Sequence, residues 1–195
     1  MPNQPSISGI ILAGGQGRRM GYVDKGLQIY QGQALISHVI ARFAPQVDEL
    51  LINTNQNLME YSRFSYPVIS DEITGFVGPL AGLHIGLQRA QHSLIATVPC
   101  DTPYLPQDLF PNLLQALLKN EADLAVATTG SQLQPTFSLY RHSVLCSLTE
   151  YLQKGGRKIQ SWQQSLTVVS VNFIETAHFY NINTLEELNH SPPNL

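Results

Sequence analysis

The chain has 195 residues, 43% of them hydrophobic, enough for one core of substantial size. Lys and Arg number 11 against 14 Asp and Glu, giving a net charge of -3 and a pI near 6.0, which excludes the basic footprint that a nucleic-acid backbone requires. Two scattered cysteines, Cys100 and Cys146, exclude a disulfide framework, and the sequence has neither a signal-like N-terminus nor an apolar stretch of membrane-span length, so a cytoplasmic protein is expected.

In chain order, an apolar run of strand length at Ile7–Ala13 leads into Gly14-Gly15-Gln16-Gly17. A helical pattern follows at Ala34–Phe43, then strands at Leu50–Thr54 and Tyr66–Ser70, a helix at Leu83–Ala90 and a strand at Leu94–Pro99. The second half reads as a helix at Leu109–Leu118, a strand at Leu124–Thr128, a helix at Val144–Leu152 and a strand at Val168–Val171. Alternation of this kind predicts an α/β fold, Rossmann-like, with a mostly parallel central sheet and helices on both faces. We expect a single domain over 1–195, with residues 1–6 and 190–195 as flexible tails.

Parallel sheets of this class bind ligands at the carboxyl ends of their strands. At those ends the sequence places Gly14-Gly15-Gln16-Gly17, Asn53-Thr54-Asn55, Asp71-Glu72 and Pro99-Cys100-Asp101-Thr102-Pro103. The glycine loop is not a dinucleotide fingerprint, because Met20 stands where the third glycine is needed, and not a P-loop, because Lys25 precedes Gly26 and Leu27 follows. It remains a loop whose backbone can approach phosphate oxygens, with Arg18, Arg19 and Lys25 nearby, a set suited to a triphosphate. Asp101, stiffened between two prolines, is a candidate Mg2+ ligand, since that ion takes one or two carboxylates plus phosphates and water. None of the six histidines has metal-ligand spacing.

Leu12-Ala13-Gly14-Gly15-x-Gly17-x-Arg19-Met20-Gly21 followed by Asp24-Lys25 resembles the signature loop of nucleotidyltransferases with the nucleotide-diphospho-sugar transferase fold. With Gly78-Pro79-Leu80-Ala81-Gly82, Pro99-Cys100-Asp101-Thr102-Pro103 and Asn181-Ile182-Asn183-Thr184, the resemblance narrows to the molybdenum cofactor guanylyltransferase family and spans Leu12 to Thr184. Leu185 departs from the family, which often has Pro there; Leu is a good helix former and Thr184 can still cap.

The resemblance implies transfer of GMP from GTP to molybdopterin, with pyrophosphate as leaving group and Mg2+ as cofactor. It implies nucleotide binding by Leu12, Ala13, Gly14, Gly15, Lys25, Asn53, Asp71, Gly78, Pro79 and Asp101. Lys25, Asp101 and Arg19 are the expected catalytic groups: Lys25 on the α- and β-phosphates, Asp101 on the metal, Arg19 on the departing pyrophosphate or the incoming phosphate. Asn181 and Asn183, alternating in an extended segment, are expected to hold the acceptor phosphate or the metal. Gln134–Phe137 fits a strand on the second-substrate side, with Arg157 and Lys158 as anion contacts. Asp71 and Asn53 are candidates to read guanine, whose Watson-Crick edge offers two adjacent N–H donors. A CTP-dependent enzyme on the same acceptor, another small phosphate-acceptor nucleotidylyltransferase, and a non-catalytic carrier are the competing readings. The expected state is a monomer with transient contacts to cofactor-biosynthesis proteins or recipient molybdoenzymes, and with no nucleic-acid or membrane partner.

Overall fold

A computed structural model describes residues 5–15, 23–73 and 78–188. Its main sheet has seven strands: β1 (Ile7–Leu12), β4 (Glu49–Asn53), β5 (Val68–Ile69), β6 (Leu94–Pro99), β7 (Leu124–Thr129), β8 (Gln132–Arg141) and β9 (Val168–Asn172). The order across it is β5-β4-β1-β6-β8-β7-β9, and β8 alone runs against its neighbours. A small hairpin pairs β2 (Ile29–Tyr30) with β3 (Gln33–Ala34). Among the described residues there are seven α-helices: α1 (Leu35–Phe43), α2 (Leu58–Ser62), α3 (Pro79–Arg89), α4 (Leu109–Lys119), α5 (Leu145–Gln153), α6 (Ile159–Gln163) and α7 (Leu185–Leu188). The expected α/β architecture is present, as a mixed sheet that is mostly parallel. Among the described residues no helix is long and apolar enough to cross a membrane.

Strand alternation divides the core between two faces. Ile7 and Ile11 of β1, with Leu94, Ala96 and Val98 of β6, pack with Val39 and Phe43 of α1 and Phe110 and Leu113 of α4. Ile10, Ile95, Leu124 and Val126 pack on the other face with Leu83 and Leu87 of α3, Leu148 of α5 and Trp162 of α6. The helix α3 is buried over Leu80–Leu87, and its closeness to β1 depends on Gly86, where a Cβ would lie 1.9 Å from Ile10 Cδ1. Gly86→Val should therefore lower stability by about 1–3 kcal/mol through overpacking. Urea unfolding at unchanged m-value checks this, and a parental midpoint would show that the helix can move away.

The reversal at β8 is the feature that the sequence pattern shows least. Gln134–Phe137 is strand, as expected, but belongs to a ten-residue element. Pairing jumps from Ala127↔Gln134 to Val126↔Ser138, so Pro135 sits in a bulge where its missing N–H breaks no ladder bond. Gln163 Nε2 fastens that bulge by donating to the Pro135 carbonyl at 2.9 Å.

Candidate active site at the carboxyl edge of the sheet

The ends of β4, β1 and β6 lie side by side, because Leu12 is in register with Asn53 on one side and Pro99 on the other. Ala13 N donates to the Asn53 carbonyl at 2.8 Å, and Cys100 N to the Leu12 carbonyl at 3.2 Å, carrying the pairing one step into the loops. Leu12, Ala13, Gly14, Gly15, Asn53 and Asp101 thus line one edge. Arg19, with Arg18, Gly17, Met20 and Gly21, lies outside the described residues, as do residues 1–4 and 190–195 of the expected tails.

At the β4–β5 end, Asp71 is held from both sides. Asn53 Nδ2 donates to its Oδ1 at 2.9 Å and Asn55 Nδ2 to its Oδ2 at 2.7 Å, while Asp71 N donates to Asn55 Oδ1 at 2.9 Å. Asn53 is 2% exposed and lies against α3, where a Cβ on Gly82 would come within 2.2 Å of its Oδ1. Asn55 stood in the sequence only as part of the strand-end run Asn53-Thr54-Asn55; its role as a second partner of Asp71 was not assigned there.

The helix α3 starts here as expected, with Gly78 as N-cap and Pro79 at the first helical position. Gly78 has φ +70, a conformation that a side chain would strain. The helix begins four residues before the apolar periodicity that first marked it at Leu83, because Pro79–Gly82 reads as loop composition yet is pre-set for a first turn. Pro79 also borders a cavity of about 350 Å³ shared with Pro135, Arg157, Lys158, Ile159, Gln160 and Ser161. Arg157 and Lys158 thus share a cavity with Pro79, and Arg157 Nη1 donates to the Leu152 and Gly156 carbonyls.

At the β6 end the charged groups converge. Lys25 Nζ is 3.2 Å from Asp101 Oδ2 and donates to Asn183 Oδ1 at 2.7 Å. The two side chains are 22% and 13% exposed, so this is a largely desolvated pair. Among the described residues, Asp101 Oδ1 is buried and has no hydrogen-bond partner. Burial pushes the Asp101 carboxyl above the usual aspartate range, opposed in part by the Lys25 charge and its hydrogen bond. Cys100 beside it is buried, and burial pushes its thiol well up, which leaves it a poor nucleophile.

Asn181 and Asn183 both reach this end. Thr102 Oγ1 donates to Asn181 Oδ1 at 2.5 Å, and Ile182 N to the Asp101 carbonyl at 2.9 Å. The segment is fixed by α7: Glu187 Oε2 accepts from Asn183 N and Thr184 N, and Glu187 N donates to Thr184 Oγ1. This is a capping box, and it forms with Leu185 in the place of the expected Pro. Burial raises the Glu187 carboxyl, but its hydrogen bonds from Asn183, Tyr180 and Thr184 outweigh that and leave it lowered. Glu187 was readable from Thr-x-x-Glu spacing and was missed.

Among the described residues no group of three or more His, Cys, Asp or Glu is placed to hold a metal ion. The donor set does fit a hard cation of another kind, one that takes a single carboxylate oxygen, Asp101 Oδ1, and draws its remaining ligands from phosphate and water.

Residues 9–168 match the MobA-like NTP transferase domain family. The molybdenum cofactor guanylyltransferase of Cupriavidus pinatubonensis is 46% identical over 187 residues, covering 93% of this chain and 94% of that protein. That of Bordetella petrii is 45% identical over 196 residues, covering 98% and 100%. Among solved structures, molybdopterin-guanine dinucleotide biosynthesis protein A from Archaeoglobus fulgidus superposes with a TM-score of 0.79 at 25% identity, over 93% of this chain and 95% of that one. The 2-C-methyl-D-erythritol 4-phosphate cytidylyltransferase of Thermus thermophilus shares the fold at TM-score 0.70 and 14% identity, over 92% and 94%.

Proposed function

Since the chain belongs to the MobA-like NTP transferase family, we infer that it transfers GMP from GTP to the molybdenum cofactor, forming molybdopterin guanine dinucleotide and pyrophosphate. The observation that carries this reading is the convergence of Lys25, Asp101 and Asn183 beside the Gly14–Asn53 end of the sheet. The acceptor's terminal phosphate oxygen attacks the α-phosphorus of GTP, and the bond from that phosphorus to the bridging α–β oxygen breaks. Two anions must meet, so charge neutralisation and positioning do the chemistry.

Lys25 serves the α- and β-phosphates as a point charge that offsets the charge on the departing pyrophosphate. Asp101, through Oδ1, would hold Mg2+, with Asn181 and Asn183 fixing the loop behind it; the ion would supply neutralisation of phosphate charge there. Arg19 serves the leaving or incoming phosphate from the glycine loop. Leu12, Ala13, Gly14, Gly15, Gly78 and Pro79 supply close backbone around the nucleotide. Asp71 reads guanine: each of its oxygens accepts one amide N–H, which leaves a lone pair on each for two adjacent base donors. Asn53 and Asn55 hold it. The whole of 1–195 acts as a single nucleotidyltransferase domain, cytoplasmic and monomeric.

The purified protein with Mg2+ and molybdopterin should release pyrophosphate with GTP and little with CTP or ATP. Use of CTP without GTP would overturn the assignment.

A further inference from the structure

We propose that Tyr61 is a positioning residue for Lys25, acting through Asp24 and the tight turn at Gly26. The proposal rests on the phosphate role given to Lys25. Tyr61, on α2, is fully buried, and its hydroxyl donates to Asp24 Oδ1 at 2.5 Å. Asn57 Nδ2, at the start of the same helix, donates to Asp24 Oδ2 at 3.0 Å. Both oxygens of the residue preceding Lys25 are therefore anchored to an element 33 and 37 positions away.

The turn itself is built against the phenol. Lys25–Leu27 is a single 3-10 turn in which Gly26 is buried, and a Cβ there would stand 2.4 Å from the Tyr61 oxygen and 3.4 Å from Cys100 Sγ. Cys100 adjoins Asp101, so the Tyr61 hydroxyl lies where the turn carrying Lys25 meets the strand end carrying Asp101. Burial pushes the phenol far above its ordinary range, so it stays a neutral donor throughout the working pH range. Phenylalanine would fill the same volume, which makes the hydroxyl the informative atom. The contacts at the tip of Lys25 are to Asp101 and Asn183, groups the reaction also uses. The Asp24–Tyr61 link is a hold on the turn that substrate does not compete for.

The test is a double-mutant cycle on pyrophosphate release, with Tyr61→Phe made in the parent and in Lys25→Met. Tyr61→Phe should lower kcat about tenfold in the parent and less than about twofold in Lys25→Met, because there is no ammonium left to position. Asp24→Asn, which keeps an acceptor for the hydroxyl, should retain more activity than Asp24→Ala at comparable urea midpoints. Equal fold-losses in both backgrounds, or parental kcat in Tyr61→Phe, would overturn the proposal. Failure of the Lys25 reading shows separately, as parental turnover in Lys25→Met alone.

Discussion

Asp101→Asn is expected to lower guanylyl transfer on the order of a thousandfold while leaving the fold intact. The substitution keeps size and a hydrogen-bonding oxygen but removes the charge that a hard cation needs. Stability should move the other way. Because burial holds the Asp101 carboxyl above its unfolded value, the folded state binds the proton more tightly. The group's contribution to stability is therefore greatest below the ordinary aspartate range and is lost as pH rises through the raised value. Above that raised value the ionised carboxylate is a net cost that Asn relieves, so in alkaline buffer thermal unfolding should occur at or above the parental temperature. Stopped pyrophosphate assays and melting curves on one preparation check both halves. Near-parental turnover would overturn the proposal that Asp101 holds the metal.

Lys25→Met should cost about a hundredfold in kcat/KM for GTP, the scale seen when one charge-stabilising donor is removed. Lys25→Arg should restore little, since the longer planar fork does not reproduce a point charge between Asp101 Oδ2 and Asn183 Oδ1. The stability signature should be opposite to that of Asp101→Asn. Without Lys25 the buried Asp101 charge has lost its partner, so melting temperature should fall at pH 8, and the gap to the parent should narrow in acid as Asp101 takes up a proton. Parental turnover in Lys25→Met would leave Lys25 as a partner of Asp101 alone.

Most of the edge where these residues meet was legible because it is written in strand ends. Asn53, Asp71 and Asp101 each follow an apolar run directly, and the parallel pairing of β4, β1 and β6 brings those ends together. Asn183 was legible by alternation with Asn181, as was Lys25 by its motif, though their pairing across 158 positions was not. What escaped was support rather than chemistry: Asn55, Glu187 and the Asp24–Tyr61 link act through contacts between elements, for which no local period exists. β8 was only partly visible because Pro135 interrupts its pattern, and its direction follows from a short hairpin that periodicity does not encode.

The single reversed strand also sets a scale for the product. Since β8 turns back beside β7, the β6–β8–β7–β9 half adds its rim to the same edge on which β5, β4 and β1 carry Asp71, Asn53 and Gly14. Seven strands spaced by ~4.8 Å make a ledge ~29 Å long. Under the proposed reaction, guanosine lies over its first three strands and the new pyrophosphate bridge over β6. The cofactor half is left with the length of three strands, which gives a dinucleotide product room to lie extended along this edge.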